Sequence, residues 1–388
     1  MTGSTSSDSL SSGAAPSEPS VYEKLGVKTV INAAGTLTTL GGSLMPPEVL
    51  AALTSAAHHF VEIGELQDRI GERIAGLVGV EAALVTTGAA GAMLLATAAA
   101  VTRGDAQRVA RLPDTTGMKN EVITQKSHHT CYDHQVTNCG VKLIDVETRQ
   151  DLEQAINERT AMMLFYNLLE PDGKVKKEEW IEVARRHGIP TLVDAAADIP
   201  PVDALSRYNK LGFDMVALSG GKALSGPSNT GLLLGKREFI EAAKLNTNPH
   251  CGTIGRMLKV SKEDMVALWA AVERYMRIDH EAELREWERR LSEIEKSLGR
   301  IPTVTMQRFV PPIANHVPHL LVFWDESRVR IDRDQVTKKM AAGNPSIALG
   351  RVSGTGDRGL LISVFQLKSG EEQVVARRLC DILQGAAS

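Results

Sequence analysis

Short apolar runs alternate with amphipathic stretches along most of this chain. The runs fall at residues 82–86, 121–124, 141–144, 161–166, 191–194, 215–218 and 231–235, with helical patterns such as 177–187 between most of them. Runs this short, separated by helices, predict a mostly parallel sheet covered on both faces. Pro, Gly and Asp bound the runs at 161–166, 191–194 and 215–218, as at the edges of buried strands. From 262 to 298 charges dominate, while Leu284, Trp287, Leu291, Ile294 and Leu298 recur at spacings of three and four and trace one helical stripe. Beyond it, 304–306, 319–324 and 360–364 read as strands and 371–383 as a closing helix. The pattern divides the chain into a tail (1–20), an N-terminal segment with a large α/β domain (21–260), one connecting helix (261–298) and a small C-terminal α+β domain (299–388).

Composition narrows the function classes. The tail is rich in Ser, Gly, Ala and Pro and buries too little to offset ordering entropy, so it is expected to be disordered. Forty-four Lys and Arg against 47 Asp and Glu leave a formal charge of −3, so no basic excess covers a phosphate backbone and general nucleic-acid binding is disfavoured. No uncharged apolar run is long enough to span a membrane, and the start lacks a secretory signal pattern. The four cysteines (Cys131, Cys139, Cys251, Cys380) form no CxxC pair, which argues against a disulfide framework or structural zinc and for the cytoplasm.

Four short segments could carry chemistry, each just after an expected strand. Lys222 follows 215–218 within Ser219-Gly220-Gly221-Lys222, at the sheet edge where α/β proteins bind ligands. Glycines let backbone approach, and a lysine there can form a Schiff base with an aldehyde; the plain alternative is a solvated lysine in a turn. Asp194 ends an apolar strand, where an acid needs a cation or donor, and a pyridinium N–H is one such partner. It could equally cap the next segment. Ala196 is one of three small residues after it that leave room for a flat ring. Thr87, Gly88 and Ala89 open a helical run whose bare N–H groups suit a phosphate monoester, although a tight strand–helix turn has the same composition. His128 and His129 sit where an imidazole could stack on an aromatic ring, lie in a hydrogen-bonded loop or bind a metal; with no companion ligands at helical spacing, the metal reading ranks last. Cradle, stacking group, acid and lysine in chain order make up the parts of a pyridoxal 5'-phosphate (PLP) site.

Here the chain resembles the fold-type-I PLP enzymes, and within them the selenocysteine synthase-like group, bacterial L-seryl-tRNA selenium transferase and its relatives. The residues that carry the resemblance are Val30-Ile31-Asn32-Ala33-Ala34-Gly35-Thr36, Val193-Asp194-Ala195-Ala196, the run from Leu218 through Lys222 to Pro227, and Gly255-Arg256-Met257-Leu258-Lys259-Val260-Ser261-Lys262-Glu263. They look closest to the D-glucosaminate-6-phosphate ammonia-lyase branch. The resemblance implies an aspartate aminotransferase-like large domain and a homodimer or higher homo-oligomer. It implies that Lys222 holds PLP, that Asp194 pairs with the pyridine nitrogen, and that Ser219 and the Thr87–Gly91 turn hold the phosphate. His128 is expected to stack on the ring, with His129 the second choice. Asn32, Arg256, Lys259 and Arg351 are candidates on the substrate side.

The segment Leu37-Thr38-Thr39-Leu40-Gly41-Gly42-Ser43 replaces the HTNLGR-like stretch of true selenocysteine synthases, and Ile362-Ser363-Val364-Phe365-Gln366-Leu367 lacks an Arg expected in them. With the acidic balance, this argues against a charged tRNA and for a small amino acid or amino-sugar acid. The expected activity is PLP-dependent elimination from a β-hydroxy amino acid to a 2-oxo acid and ammonia. The rivals are selenium or sulfur transfer, aldol cleavage or racemisation on the same scaffold, and a catalytically inactive scaffold protein.

Overall fold

The computed structural model describes residues 20–350 and 359–387. Its strands are β1 (Val30–Ala33), β2 (Ala82–Thr86), β3 (Glu121–Gln125), β4 (Lys142–Val146), β5 (Thr160–Tyr166), β6 (Thr191–Asp194), β7 (Met215–Ser219), β8 (Gly231–Gly235), β9 (Thr305–Phe309), β10 (His319–Phe323), β11 (Ser346–Leu349) and β12 (Leu360–Ser363). Seven form the central sheet in the order β2-β8-β7-β6-β5-β3-β4. Only β8 runs against its neighbours; the other pairings are parallel. Every expected strand of the large domain is present.

The alternation of side chains builds two cores from one sheet. Met163 and Phe165 of β5, Val193 of β6 and Val216 and Leu218 of β7 enter one apolar cluster with Trp180, Ile181 and Leu268. Met162, Leu164, Leu192, Met215 and Ala217 enter the other, against the helix Gly88–Thr102. All of that helix except Gly88 and Ala90 is buried. Its many alanines let it lie close under the sheet, and that depth fixes where its N-terminus points.

The stretch expected as one connecting helix folds as two, Lys262–Tyr275 and His280–Leu298. The cause is local: Asp279 Oδ1 accepts the Ala282 N–H (2.9 Å), so the chain stops and restarts with an N-cap. A third core joins the end of the second helix to β9–β12 and the helix Glu371–Gln384. β1 also belongs there, paired in parallel with β11 from Val30↔Ser346 to Ala33↔Leu349. The N-terminal strand thus shares a core with the C-terminal strands. The expected tail and Arg351 lie outside the described residues. Among the described residues, no helix is long and apolar enough to cross a membrane, and no group of three or more His, Cys, Asp or Glu could hold a metal ion.

Candidate active site

The sheet brings the expected residues to one edge. β6 and β7 lie side by side with Asp194 opposite Ala217, and the Ala195 N–H donates to Ala217 O (3.0 Å). Asp194 therefore ends β6 beside the start of the Ser219–Lys222 turn. Across β8, Thr86 and Ser219 both pair with Gly231, so the Thr87–Gly88 turn shares that edge.

Lys222 and Asp194 form no ion pair or hydrogen bond with each other among the described residues, yet each lies in the other's electrostatic field. Burial pushes the Asp194 carboxyl up to about 6, against the Ala196 N–H (3.0 Å to Oδ1) and the charge of Lys222. Asp194 is deep in the molecule but keeps part of its surface accessible. Burial pulls the Lys222 ammonium down from its usual range, opposed by Asp194 and then Asp198. A lysine eased toward the neutral amine, set apart from a carboxylate short of partners, is the donor set that a protonated pyridine carrying an aldehyde needs.

The cradle fits a phosphate through its backbone. Thr87 precedes the buried helix without a side-chain cap, leaving the N–H groups of its first turn unclaimed by a cap. The Ser219 hydroxyl has no hydrogen-bond partner among the described residues and stands on the far side of β8. Gly88 has φ +67°, which allows the sharp turn. At Gly231 an added Cβ would stand 2.3 Å from Gly88 C and 2.5 Å from its O, so strand and turn meet backbone to backbone. Replacing Gly231 with Ala is expected to cost about 1–3 kcal/mol, the overpacking range, and to weaken PLP retention. Denaturant midpoints and cofactor dialysis check both; an unchanged midpoint and unchanged retention would show the contact to be unimportant. Thr87 differs in part from its expected use: its Oγ1 donates to Leu258 O (2.6 Å), so the hydroxyl proton ties down the 255–260 segment and a phosphate is left to the backbone and Ser219.

The histidines depart from expectation. His128 is fully buried, with its ring edge-on to Phe165 (centroids 4.7 Å apart, 79° between planes) and its Nδ1 accepting the Tyr166 N–H (3.3 Å). Gln125 Nε2 lies 3.2 Å from its Nε2, and burial pushes the imidazole down to about 4. Its ring has no accessible face for stacking; it supports the end of β5 from beneath. His129 is at the surface, between Asp133 (2.6 Å) and Asp145 (2.9 Å), and the Asp133 hydrogen bond raises its pKa.

The substrate-side candidates divide. Asn32 closes its own turn, donating to Gly35 O (2.8 Å) and accepting the Ala34 N–H (3.0 Å), so its side chain is occupied. Arg256 and Lys259 are exposed, with no ion-pair partner among the described residues, and flank Leu258, which contacts the cradle through Thr87.

Sequence reasoning passed over other groups at this edge. Asn167 directly follows β5, and its Nδ2 donates to Asp198 Oδ2 (2.6 Å) and Tyr208 Oη (2.9 Å). Tyr208 also donates to Asp198 Oδ2. Asp198 stands four residues after Asp194, the one signal that marked it. Ser43 donates to Gly221 O (3.1 Å), so the Leu37–Ser43 stretch braces the lysine turn. A cavity of about 500 Å³ lies at the opposite edge, beside Thr191, Asp214 and Gly235. Asp214, one of its acids, is engaged by Thr191 and Lys236.

The chain is also similar to known proteins. The chain is 38% identical over 268 residues to D-glucosaminate-6-phosphate ammonia lyase of Salmonella typhimurium, covering 66% of this chain and 70% of that protein. It is 29% identical to a 5'-C-glycyluridine monooxygenase-decarboxylase of Streptomyces, covering 93% and 92%. It is 27% identical to the L-seryl-tRNA(Sec) selenium transferase of Caldanaerobacter subterraneus, covering 63% of this chain and 56% of the transferase. The solved structure of a D-glucosaminate-6-phosphate ammonia-lyase matches with a TM-score of 0.84 at 30% identity, over 96% of this chain and all of that one. A PLP-bound serine palmitoyltransferase of S. paucimobilis shares the fold at a TM-score of 0.56 and 13% identity, covering 92% and 88%. The fold is the aspartate aminotransferase-like fold of PLP-dependent enzymes. The family model described as SelA, L-seryl-tRNA selenium transferase, matches residues 30–308, and the chain belongs to that family.

Proposed function

We propose that this protein is a PLP-dependent lyase that converts a β-hydroxy amino acid to a 2-oxo acid and ammonia, on a substrate of the phosphorylated amino-sugar-acid kind. The observation that carries the reading is the placement of Lys222 and Asp194 on adjacent strand ends, coupled but not paired, beside an uncapped helix. The relationship to an ammonia lyase supports the reaction class.

PLP, when bound, supplies the electron sink that stabilises negative charge at the substrate Cα. Lys222 anchors it and, once free as a neutral amine, takes the Cα proton. Asp194 keeps the pyridine nitrogen protonated. Ser219 and the first turn of the helix Gly88–Thr102 hold the phosphate. Arg256 and Lys259, which flank the cradle with no ion-pair partner among the described residues, are the cations for a substrate carboxylate or phosphate, with Arg351 a further candidate. The β-hydroxyl leaves as water, and water is regained when the amine is released as ammonia. Cytoplasmic location and a homodimer belong to this reading. Exposed Leu44, Phe60 and Met257 offer apolar surface for a second copy.

The test is a panel of β-hydroxy amino acids and amino-sugar acids, with and without phosphate, assayed together for ammonia and oxygen uptake. Ammonia without oxygen consumption, fastest on a phosphorylated sugar acid, is expected. A PLP-loaded protein that releases none would sink the reading. Oxygen-dependent loss of carbon dioxide would favour a second reading, oxidative decarboxylation, which the near-complete alignment with the Streptomyces relative brings into view.

A further inference from the structure

Asp198 is a second acid at the reactive edge, and nothing in the reading above uses it. It is 5% exposed and belongs to the turn that begins at Asp194, its N–H donating to Ala195 O (3.1 Å). Both of its side-chain hydrogen bonds, from Asn167 and Tyr208, fall on Oδ2, and Oδ1 receives none among the described residues. The charged groups whose fields reach it are Asp194, Lys222 and Arg207. Arg207 is taken by Asp203, with Nε to Oδ2 at 2.8 Å and Nη2 to Oδ1 at 2.6 Å.

Asp198 also lines a cavity of about 210 Å³ together with Asn167, Tyr208, Arg207, Pro312 and Ala314. The last two come from the loop whose Asn315 N–H donates to Ala197 O (2.7 Å), so this cavity lies where the C-terminal body meets the large one. The other charged or titratable groups on its wall are Lys177, which pairs with Glu170 (2.7 Å), and His316, whose Nδ1 lies 2.8 Å from Pro311 O. Of the cations in its electrostatic field, Arg207 is thus taken, which leaves Lys222, three residues past the end of β7, the strand beside β6, and without an ion-pair partner among the described residues.

We propose that Asp198, fixed by Asn167 and Tyr208, is a positioning residue that acts through Lys222: its charge stabilises the ammonium formed when that lysine takes a proton, and the junction cavity connects it to water. The inference rests on the reading of Lys222 as the reactive lysine. Asp194 is committed to the cofactor nitrogen there, which leaves Asp198 as the anion for the lysine. In the step concerned, the Cα–H bond breaks, its electron pair stays with the substrate, and the Lys222 amine becomes an ammonium in the field of Asp198.

The test reads the lysine itself in the full-length, cofactor-free chain. Trace acylation with acetic anhydride across a pH series, followed by mass spectrometry, gives the titration of Lys222, with surface Lys296 as internal control. In Asp198→Asn, Lys222 is expected to label about three- to tenfold faster below its wild-type pKa, the effect of half to one pKa unit. Lys296 is unchanged, Tyr208→Phe moves Lys222 the same way by less, and Asp198→Glu restores the wild-type profile. A folded Asp198→Asn with an unchanged Lys222 profile overturns the proposal. If that variant does not fold, an unchanged profile in Tyr208→Phe does so. Failure to trap PLP on Lys222 of the wild-type protein would defeat the function reading instead, and the labelling profiles tell the two failures apart.

Discussion

Replacing Lys222 with alanine is expected to abolish covalent retention of PLP and to lower turnover by on the order of 10³–10⁴-fold, at the upper end of what a positioned proton-transfer residue contributes. In the proposed mechanism the residue combines two tasks that no neighbour can assume. It sits three residues beyond β7, where the tight turn through Gly220 and Gly221 leaves no side chain to block it, and the chain returns at once, with the Ser225 N–H on Lys222 O (3.0 Å) and the Gly226 N–H on Gly220 O (2.9 Å). An added Cβ at Gly221 would stand 2.4 Å from Ser228 Cα, so the turn has a single close-packed course. Arg256 and Lys259 lie on the segment held by Thr87, and neither is buried beside Asp194. The check is borohydride reduction of the PLP-loaded protein and mapping of the phosphopyridoxyl group by mass spectrometry. One group on the Lys222 peptide of the wild type, and none in the variant, is expected. A label on another lysine, or turnover that survives the substitution, would relocate the site.

The contrast between Lys222 and His128 shows what could be read from the sequence. The placement of Lys222, Asp194 and the Thr87–Gly88 turn at one edge is legible because each ends or follows a short apolar run, and a parallel sheet carries the ends of such runs to one edge whatever its strand order. His128 also follows a strand, so its edge was legible, but its depth was not. Two adjacent histidines look alike in sequence; packing against Phe165, a residue of β5, turns one inward and leaves the other to Asp133 and Asp145. The pairing of β1 with β11 was hidden for a related reason. Its partners stand near opposite ends of the chain, and no local pattern announces a parallel two-stranded contact between them. The break between the helices at 262–275 and 280–298 was hidden by the stripe itself, because periodicity continues across a cap that only Asp279 marks. Asp198 is not legible in the sequence because its two donors, Asn167 and Tyr208, come from other segments that only the fold brings together.

Asp194→Asn is expected to make the cofactor-free protein more stable and the enzyme much slower. The carboxyl moves from an ordinary 3.8 to about 6, chiefly through burial. The folded state thus binds this proton more tightly than the unfolded state, so stability falls as pH rises from about 4 to about 6, and the cost is fully present at pH 7. A shift of that size corresponds to about 3 kcal/mol, and partial access to solvent together with the lost attraction for Lys222 reduces the expected gain to about 1–2 kcal/mol. Asparagine keeps an oxygen for the Ala196 N–H, so the turn itself is preserved. Urea midpoints should favour the variant at pH 7 and converge with the wild type near pH 4. Turnover should fall by about 10²–10³-fold, the scale of removing one preorganised electrostatic partner, because asparagine cannot hold a proton on a pyridine nitrogen. Opposite signs in the two measurements would mark the buried charge as retained for chemistry against the interest of the fold. A variant that loses stability at neutral pH, or keeps full activity, would remove Asp194 from that role.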